Sequence, residues 1–580
     1  NIIKFTRMTT SITVQIFFGE VLSVEHPNSG EKPDNSSSRS GTSNIDSDSS
    51  CEGSESCLLM KDEEVMVQIQ TSHGPVKGHK WHDNSDIMSY IDIPYGKFNA
   101  QSWLDVHNVT EHTKRCPQLD DEEYIGDTNC LTLSIFTPKD AENASVLFHV
   151  YDGYSDTKSA DPSIYGPDYL VSKGIILVLP NYRLGPLGFL CMQNETAPGN
   201  AGLKDLSLAL EWIKENIQLF GGNPNNIVMS GDGAAGAYVG YLAICSRSKY
   251  YINKVITESG SALSHWALDR NPIGTAYKLI EKIRTNYSDG EIYNNTFNVS
   301  LETIVKAAKG IRFSPCLEHD TEPFIDTTPW KMLQGKEIDT TFMIGSASYA
   351  GTREAMDITT DYPGLNENFE QFLPRDLSFN SDEERKEFAQ QLKKQYFRED
   401  NITLEALSLW HTDASYLGPS IRLARPLLTA GATVYLYEFA FVGTLNRELV
   451  SMENAVPGAV RRDIVGYIFY KDETTVNDDS PEKHMINIMV DLWVSFINTG
   501  KPTAEKVTWN ELQKAEDSEE EWLLIDSEPK AVKGIHVERL RLWTHLYNEH
   551  FIDHNTALRH YRPHQSLAVI AVLMCWMANN

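Results

Sequence analysis

The stretch Gly199–Pro224, GNAGLKDLSLALEWIKENIQLFGGNP, followed directly by Asn225–Ala235, NNIVMSGDGAA, decides how this chain folds. Leu203, Leu206, Leu210, Ile213, Ile217 and Phe220 recur at spacings of three and four, which makes a helix with one apolar face. Gly221 and Gly222 end it, because a residue without Cβ tolerates the left-handed conformation at a helix C-terminus. Asn226–Ser230 then reads as a short strand and Ala234–Cys245 as a second helix. Helix, strand, tight glycine turn and helix in succession is the pattern of a doubly wound α/β protein.

Working outward, Val146–Val150 and Ile175–Leu179 are apolar runs suited to buried strands, and Thr340–Ile344 and Thr433–Phe439 read as later ones. The folded body is expected over residues 65–551. Residues 27–64 form an acidic, Ser-rich arm with too little apolar surface to offset the entropy of ordering, so disorder is expected there. Residues 1–26 read either as a signal segment or as a truncated N-terminal segment; the apolar run Ser11–Val24 is interrupted by Gln15 and Glu20. Residues 552–580 form a tail whose apolar part, Leu567–Ala578, would span roughly 18 Å as a helix. That is short of a bilayer core of about 30 Å. Small residues Asn555–Ala557 and a polar spacer precede it, so the tail reads either as a GPI-attachment signal or as a loose or packed end.

The formal net charge of -29 opposes binding to nucleic acid and to acidic membranes. Asn35, Asn108, Asn143, Asn194, Asn286, Asn294, Asn298 and Asn401 each begin an N-x-S/T sequon, which leans toward the secretory route and permits disulfides. Of the eight cysteines, Cys51 and Cys57 lie close together in CEGSESC. No CxxC pair or HExxH motif points to a metal, and no cofactor is expected.

At this point the chain resembles the type-B carboxylesterase/cholinesterase family. The resemblance is carried by Ile93-Pro94-Tyr95, by Asn129–Leu133 (NCLTL), by Asn181–Leu190 (NYRLGPLGFL), by the opening stretch, and by Leu492–Thr503 (LWVSFINTGKPT). It implies the α/β-hydrolase fold, a large and mostly parallel central sheet with helices on both faces. It also implies that Cys116 and Cys130 form the family's first disulfide. For Cys51, Cys57, Cys191, Cys245, Cys316 and Cys575 the pairing stays open, a Cys245–Cys316 bridge and a buried free Cys191 thiol being one reading.

The family's chemistry needs a serine on a strained strand–helix turn, a histidine base, an acid that orients it, and backbone N–H groups for the oxyanion. The family's G-x-S-x-G corresponds to Gly231-Asp232-Gly233-Ala234-Ala235, which puts Gly233 at the serine position. Its acid segment corresponds to Ile344–Gly351, with Ala350 at the acid position. Its histidine segment corresponds to Gly458–Asp463, with Arg461 at the histidine position. The oxyanion positions fall on Gly153, Tyr154 and Ala234, where Asp152 adds negative charge and Tyr154 adds bulk.

No catalytic residue is therefore expected, since arginine is no base near neutral pH. Asp232 as a displaced nucleophile needs a one-residue shift of the turn and still lacks a histidine. His149 and His265 read as structural or surface residues. Arg461 and Asp463 read as a polar plug, as a site for an anionic ligand, or as drift. The expectation is a non-catalytic, glycosylated carboxylesterase-like protein, secreted or on the extracellular surface, that binds an extracellular protein partner as an adhesion-type module. The alternatives are sequestration of a small hydrophobic ester or hormone, and weak residual ester hydrolysis. A membrane enters only through the GPI reading.

Overall fold

A computed structural model describes residues 67–553, apart from 83–85, 97–111, 113, 154–158, 195–196, 285–298, 320–322, 359–367, 398–401, 452, 454–455, 470–475 and 515–519. The arm at 27–64, the segment 1–26 and nearly all of the tail at 552–580 lie outside the described residues. So do Cys51, Cys57 and Cys575, along with Tyr154 and the sequons at Asn35, Asn108, Asn286, Asn294, Asn298 and Asn401.

A twelve-stranded sheet organises the fold. Its strands are β1 (Val67–Thr71), β2 (Gly74–Lys80), β3 (Ile87–Pro94), β6 (Thr132–Pro138), β7 (Ala144–Val150), β8 (Ile176–Pro180), β9 (Gly222–Asp232), β10 (Lys254–Glu258), β11 (Thr341–Ala347), β12 (Thr433–Phe439), β13 (Glu521–Ile525) and β14 (Lys530–Lys533). The intervening β4 (Gln118–Asp120) and β5 (Glu123–Ile125) pair only with each other. The order across the large sheet is β1-β2-β3-β6-β8-β7-β9-β10-β11-β12-β13-β14. From β8 through β13 neighbouring strands run parallel. The β1–β2–β3–β6–β8 edge and the β13–β14 edge are antiparallel.

A parallel centre must be covered by packed helices, so its strands read as continuous apolar runs rather than alternating ones. Val146, Leu147, Phe148 and Val150 on β7 and Ile176, Leu177 and Val178 on β8 are all fully buried. Thr433–Phe439 is a strand over the expected residues.

The opening stretch folds as its periodicity requires, with one break. The helix covers Ala201–Asn216, and Ile217–Phe220 tighten into a 3-10 turn that ends at Gly221 with φ 83°. The break falls at Asn216, whose amide donates to the Trp212 carbonyl at 2.9 Å and accepts from the Ser72 backbone at 2.8 Å. Strand β9 is longer than expected and begins at Gly222 itself. The helix Ala234–Ile244 that follows is buried on every side, so it shows no amphipathic stripe.

Two disulfides tie the loops. Cys116 and Cys130 are bonded. Cys191 bonds Cys316, and Cys245 is a buried free thiol, so the expected Cys245–Cys316 pair and free Cys191 are corrected. The reason lies in Asn200. Its side-chain amide donates to the Cys316 carbonyl and accepts from the Cys316 N–H, both at 2.9 Å, which holds Cys316 beside Cys191. Cys245 ends the Ala234–Ile244 helix, where burial first of all pushes its thiol pKa up.

Candidate functional site

Strand β9 ends at Asp232, and the chain turns at Gly233 (φ 58°, ψ -121°) directly into the Ala234–Ile244 helix. An L-residue in such a conformation costs roughly 1–3 kcal/mol, which is why strained turns of this kind mark functional sites. Close glycine contacts hold the turn in place. A Cβ on Gly260 would stand 1.9 Å from the Gly233 carbonyl oxygen, and one on Gly231 would stand 2.6 Å from the Ala235 carbonyl. The Gly233 N–H donates to the Glu258 carbonyl at 2.9 Å. The turn residue is therefore 233 and not 232, and Asp232 belongs to the strand.

The space a side chain on residue 233 would use is already filled. A Cβ there would lie 2.5 Å from Asp152 Oδ2 and 3.4 Å from Arg461 Cδ. Arg461 Nη1 donates to the Tyr416 hydroxyl at 3.0 Å and stands 3.9 Å from both Asp152 Oδ2 and Glu354 Oε1. Its guanidinium also lies over the Tyr416 ring at 5.6 Å. The Tyr416 hydroxyl donates to Glu354 Oε1. Burial opposes the charge on Arg461, but Tyr416, Asp152, Glu354 and Asp232 outweigh it and hold the guanidinium charged. Burial likewise opposes the charge on Glu354, yet Arg461 and the Tyr416 hydrogen bond keep its carboxyl below the ordinary value.

The structure thus gathers Gly233 and Arg461 with Asp152, Glu354 and Tyr416. Ala350 sits nearby in a small apolar cluster with Ala347 and Tyr416. Glu354 lies one helical turn beyond Ala350, on the helix Thr352–Ile358. Its spacing from the acid position was the one signal in the sequence that could have marked it. Tyr416 has no such signal, because it arrives from a distant π-helical turn, Asp413–Leu417.

The other expected site residues fall as follows. Ala234 is the first residue of the helix after the turn and is buried. The Gly153 backbone hydrogen-bonds the Tyr182 hydroxyl, which itself donates to the Tyr151 carbonyl at 2.8 Å. Asp232 is buried, with neither carboxylate oxygen in a hydrogen bond among the described residues. Burial first, then Asp152, raises its pKa well above the ordinary carboxylate value. His149, on β7, meets the Ser230 hydroxyl at 2.8 Å and is pushed down to about 3 by burial and Arg462.

Asp463 does not share a plug with Arg461. It accepts instead from the Val460 and Leu449 N–H groups at 2.8 and 3.1 Å and from the Asn446 amide at 3.1 Å. Arg462, with φ 73°, turns to Glu448 at 2.9 Å. What the arrangement offers chemically is a buried, internally paired ion cluster.

Comparison with known proteins supplies the relatives of this arrangement. Residues 64–543 match the model of the carboxylesterase family. The chain is 29% identical to Esterase FE4 of Myzus persicae over 502 residues, covering 77% of this chain and 87% of that one. It is 28% identical to Esterase B1 of Culex pipiens, covering 75% and 89%. It superposes on the juvenile hormone esterase structure from Manduca sexta with TM-score 0.72 at 22% identity, over 83% of this chain and all of that one.

Proposed function

The chain belongs to the carboxylesterase family, and from that premise we propose that it is a member that binds rather than hydrolyses. One observation carries this reading: the place of the attacking side chain, above Gly233, is occupied by the Asp152 carboxylate and the Arg461 stem. A negative charge there would repel the developing oxyanion that such a site must stabilise. The base position holds an arginine kept charged by its neighbours, and the acid position holds Ala350 in an apolar cluster. Loss of a whole relay of this kind costs roughly 10⁶-fold in turnover.

The working role we assign is a secreted or surface-exposed glycoprotein that engages an extracellular protein partner or a small ligand. The eight sequons and two closed disulfides support that setting. Of the sequons, Asn143 is exposed in the turn before β7. Among the described residues no helix is long and apolar enough to cross a membrane.

The test is turnover of a chromogenic acetate ester by the purified protein, with fluorophosphonate labelling in parallel. Rates at the buffer background and no labelling are expected. Stoichiometric labelling would overturn the reading.

A further inference from the structure

The ladder between β12 and β13 covers Tyr437–Phe439 and Leu523–Ile525. Before it, the segment 509–513 serves as the neighbour of β12, because the Leu512 N–H donates to the Val434 carbonyl at 2.7 Å. The Asn510 amide fixes that segment to β13, donating to Glu521 Oε1 at 2.7 Å. This arrangement leaves a cavity of about 560 Å³, within the range of small-molecule sites. It shares no lining residue with the ion cluster around Arg461. Gly233 follows the C-terminal end of β9, three strands away from β12 in the sheet.

The floor of the cavity is apolar and fixed in place. Tyr435, Trp509 and Leu512 line it and are buried. The Trp509 ring meets Tyr435 edge to face, with centroids 5.5 Å apart, and meets Tyr437 the same way at 6.0 Å. A buried indole N–H usually finds an acceptor. That of Trp509 has none among the described residues, so the floor holds a spare donor. Burial first, then the Glu511 carboxylate, raises the Tyr435 pKa, which keeps its hydroxyl protonated.

The rim carries both signs of charge. Lys501 and Lys533 stand there with Glu511 and Glu521, so the formal charges cancel. Lys501, Glu511 and Lys533 are exposed, and among the described residues none of the three forms an ion pair. An ammonium only donates hydrogen bonds and a carboxylate only accepts them. A ligand with a single charge would meet as much repulsion as attraction on such a rim. A hydroxyl both donates and accepts, so a neutral polyol can use every group on it.

We propose that this cavity binds a neutral saccharide, a gluco-configured pyranose with its C–H face on Tyr435 and Trp509 and its hydroxyls on Lys501, Glu511 and Lys533. In a β-glucopyranose every hydroxyl is equatorial, so both ring faces present C–H groups. Those groups suit the negative face of an aromatic ring. The site goes beyond the function proposed above, because it stands whether or not the chain hydrolyses esters.

The test is calorimetric titration of the intact protein with cellobiose, with the zwitterion L-tryptophan and with the anion phenyl phosphate. Cellobiose is expected to bind with a Kd of about 1 mM or tighter, and raising the salt should leave that affinity unchanged. Glu511→Ala and Lys533→Ala, made at exposed positions, should each weaken it by about tenfold. Their melting temperatures should match the wild type, which shows that both variants fold. Absent cellobiose binding, affinity that survives both substitutions, or tighter binding of tryptophan or phenyl phosphate would each overturn the proposal.

Discussion

Arg461 Nη1 and Glu354 Oε1 stand 3.9 Å apart, which pairs the residue expected at the base position with a carboxylate four residues past Ala350, the expected acid position. The pair differs from a histidine and its orienting acid in that the cation is permanent and takes up no proton near neutral pH. Asp152 Oδ2 lies 3.9 Å from the same nitrogen, so Arg461 is buried near two carboxylates, its side chain only 15% exposed.

Replacing Arg461 should therefore be costly. Arg461→Met leaves Asp152 and Glu354 without their cation, and uncompensated buried charge costs about 3–5 kcal/mol. The sign with pH follows from Glu354, whose folded pKa lies below the ordinary 4.5. Its stabilisation is present above that value and is lost as pH falls through the folded pKa. Chemical denaturation of wild type and variant should show the largest difference near pH 7 and a shrinking one below pH 4.5.

Gly233→Ser should not create an esterase. The new side chain meets Asp152 Oδ2 at 2.5 Å, in a backbone conformation with φ 58°. A loss of roughly 1–3 kcal/mol in stability is expected from the backbone alone. Ester turnover should stay at background, and a measurable rate in this single variant would reveal a base among the neighbouring side chains.

Asp232→Asn should stabilise the protein at neutral pH. Among the described residues the Asp232 carboxyl is buried without a hydrogen-bond partner, and its folded pKa is raised well above the ordinary value by burial and then by Asp152. An acid whose folded pKa is raised loses stability as pH climbs from its unfolded value, about 4, toward the folded one. The asparagine carries no such penalty, so its gain, on the order of 1 kcal/mol, should grow as pH rises from 4 to 7. Melting temperatures of the two proteins across that range provide the check, and parallel curves would count against it.

Cys191→Ser should lower stability through the unfolded chain. The Cys191–Cys316 bridge closes a separation of 125 residues, for which chain entropy suggests about 4–5 kcal/mol. Asn200 still clamps the Cys316 backbone in the variant, so local structure should survive while the melting temperature falls. Non-reducing peptide mapping of the wild type should find Cys245 unpaired, and a Cys245–Cys316 peptide would contradict the bridge.

Much of the scaffold was legible in the residues. The three- and four-residue spacing from Leu203 to Phe220 defined one helix, and the run Thr433–Phe439 defined a strand to its ends. The break at Asn216 was not legible, because its partner is Ser72, far away in sequence. The cysteine pairing failed for the same reason, since it depends on where Asn200 holds Cys316.

By itself the sequence determined the α/β fold and gave the expectation that Gly233, Ala350 and Arg461 stand at the relay positions, because periodicity and motif spacing are read directly along the chain. Only the tertiary structure decided what fills the space above Gly233. Asp152, Glu354, Tyr416 and Arg461 come from four separated segments, and they acquire one another as partners only once the fold brings them together in a buried place.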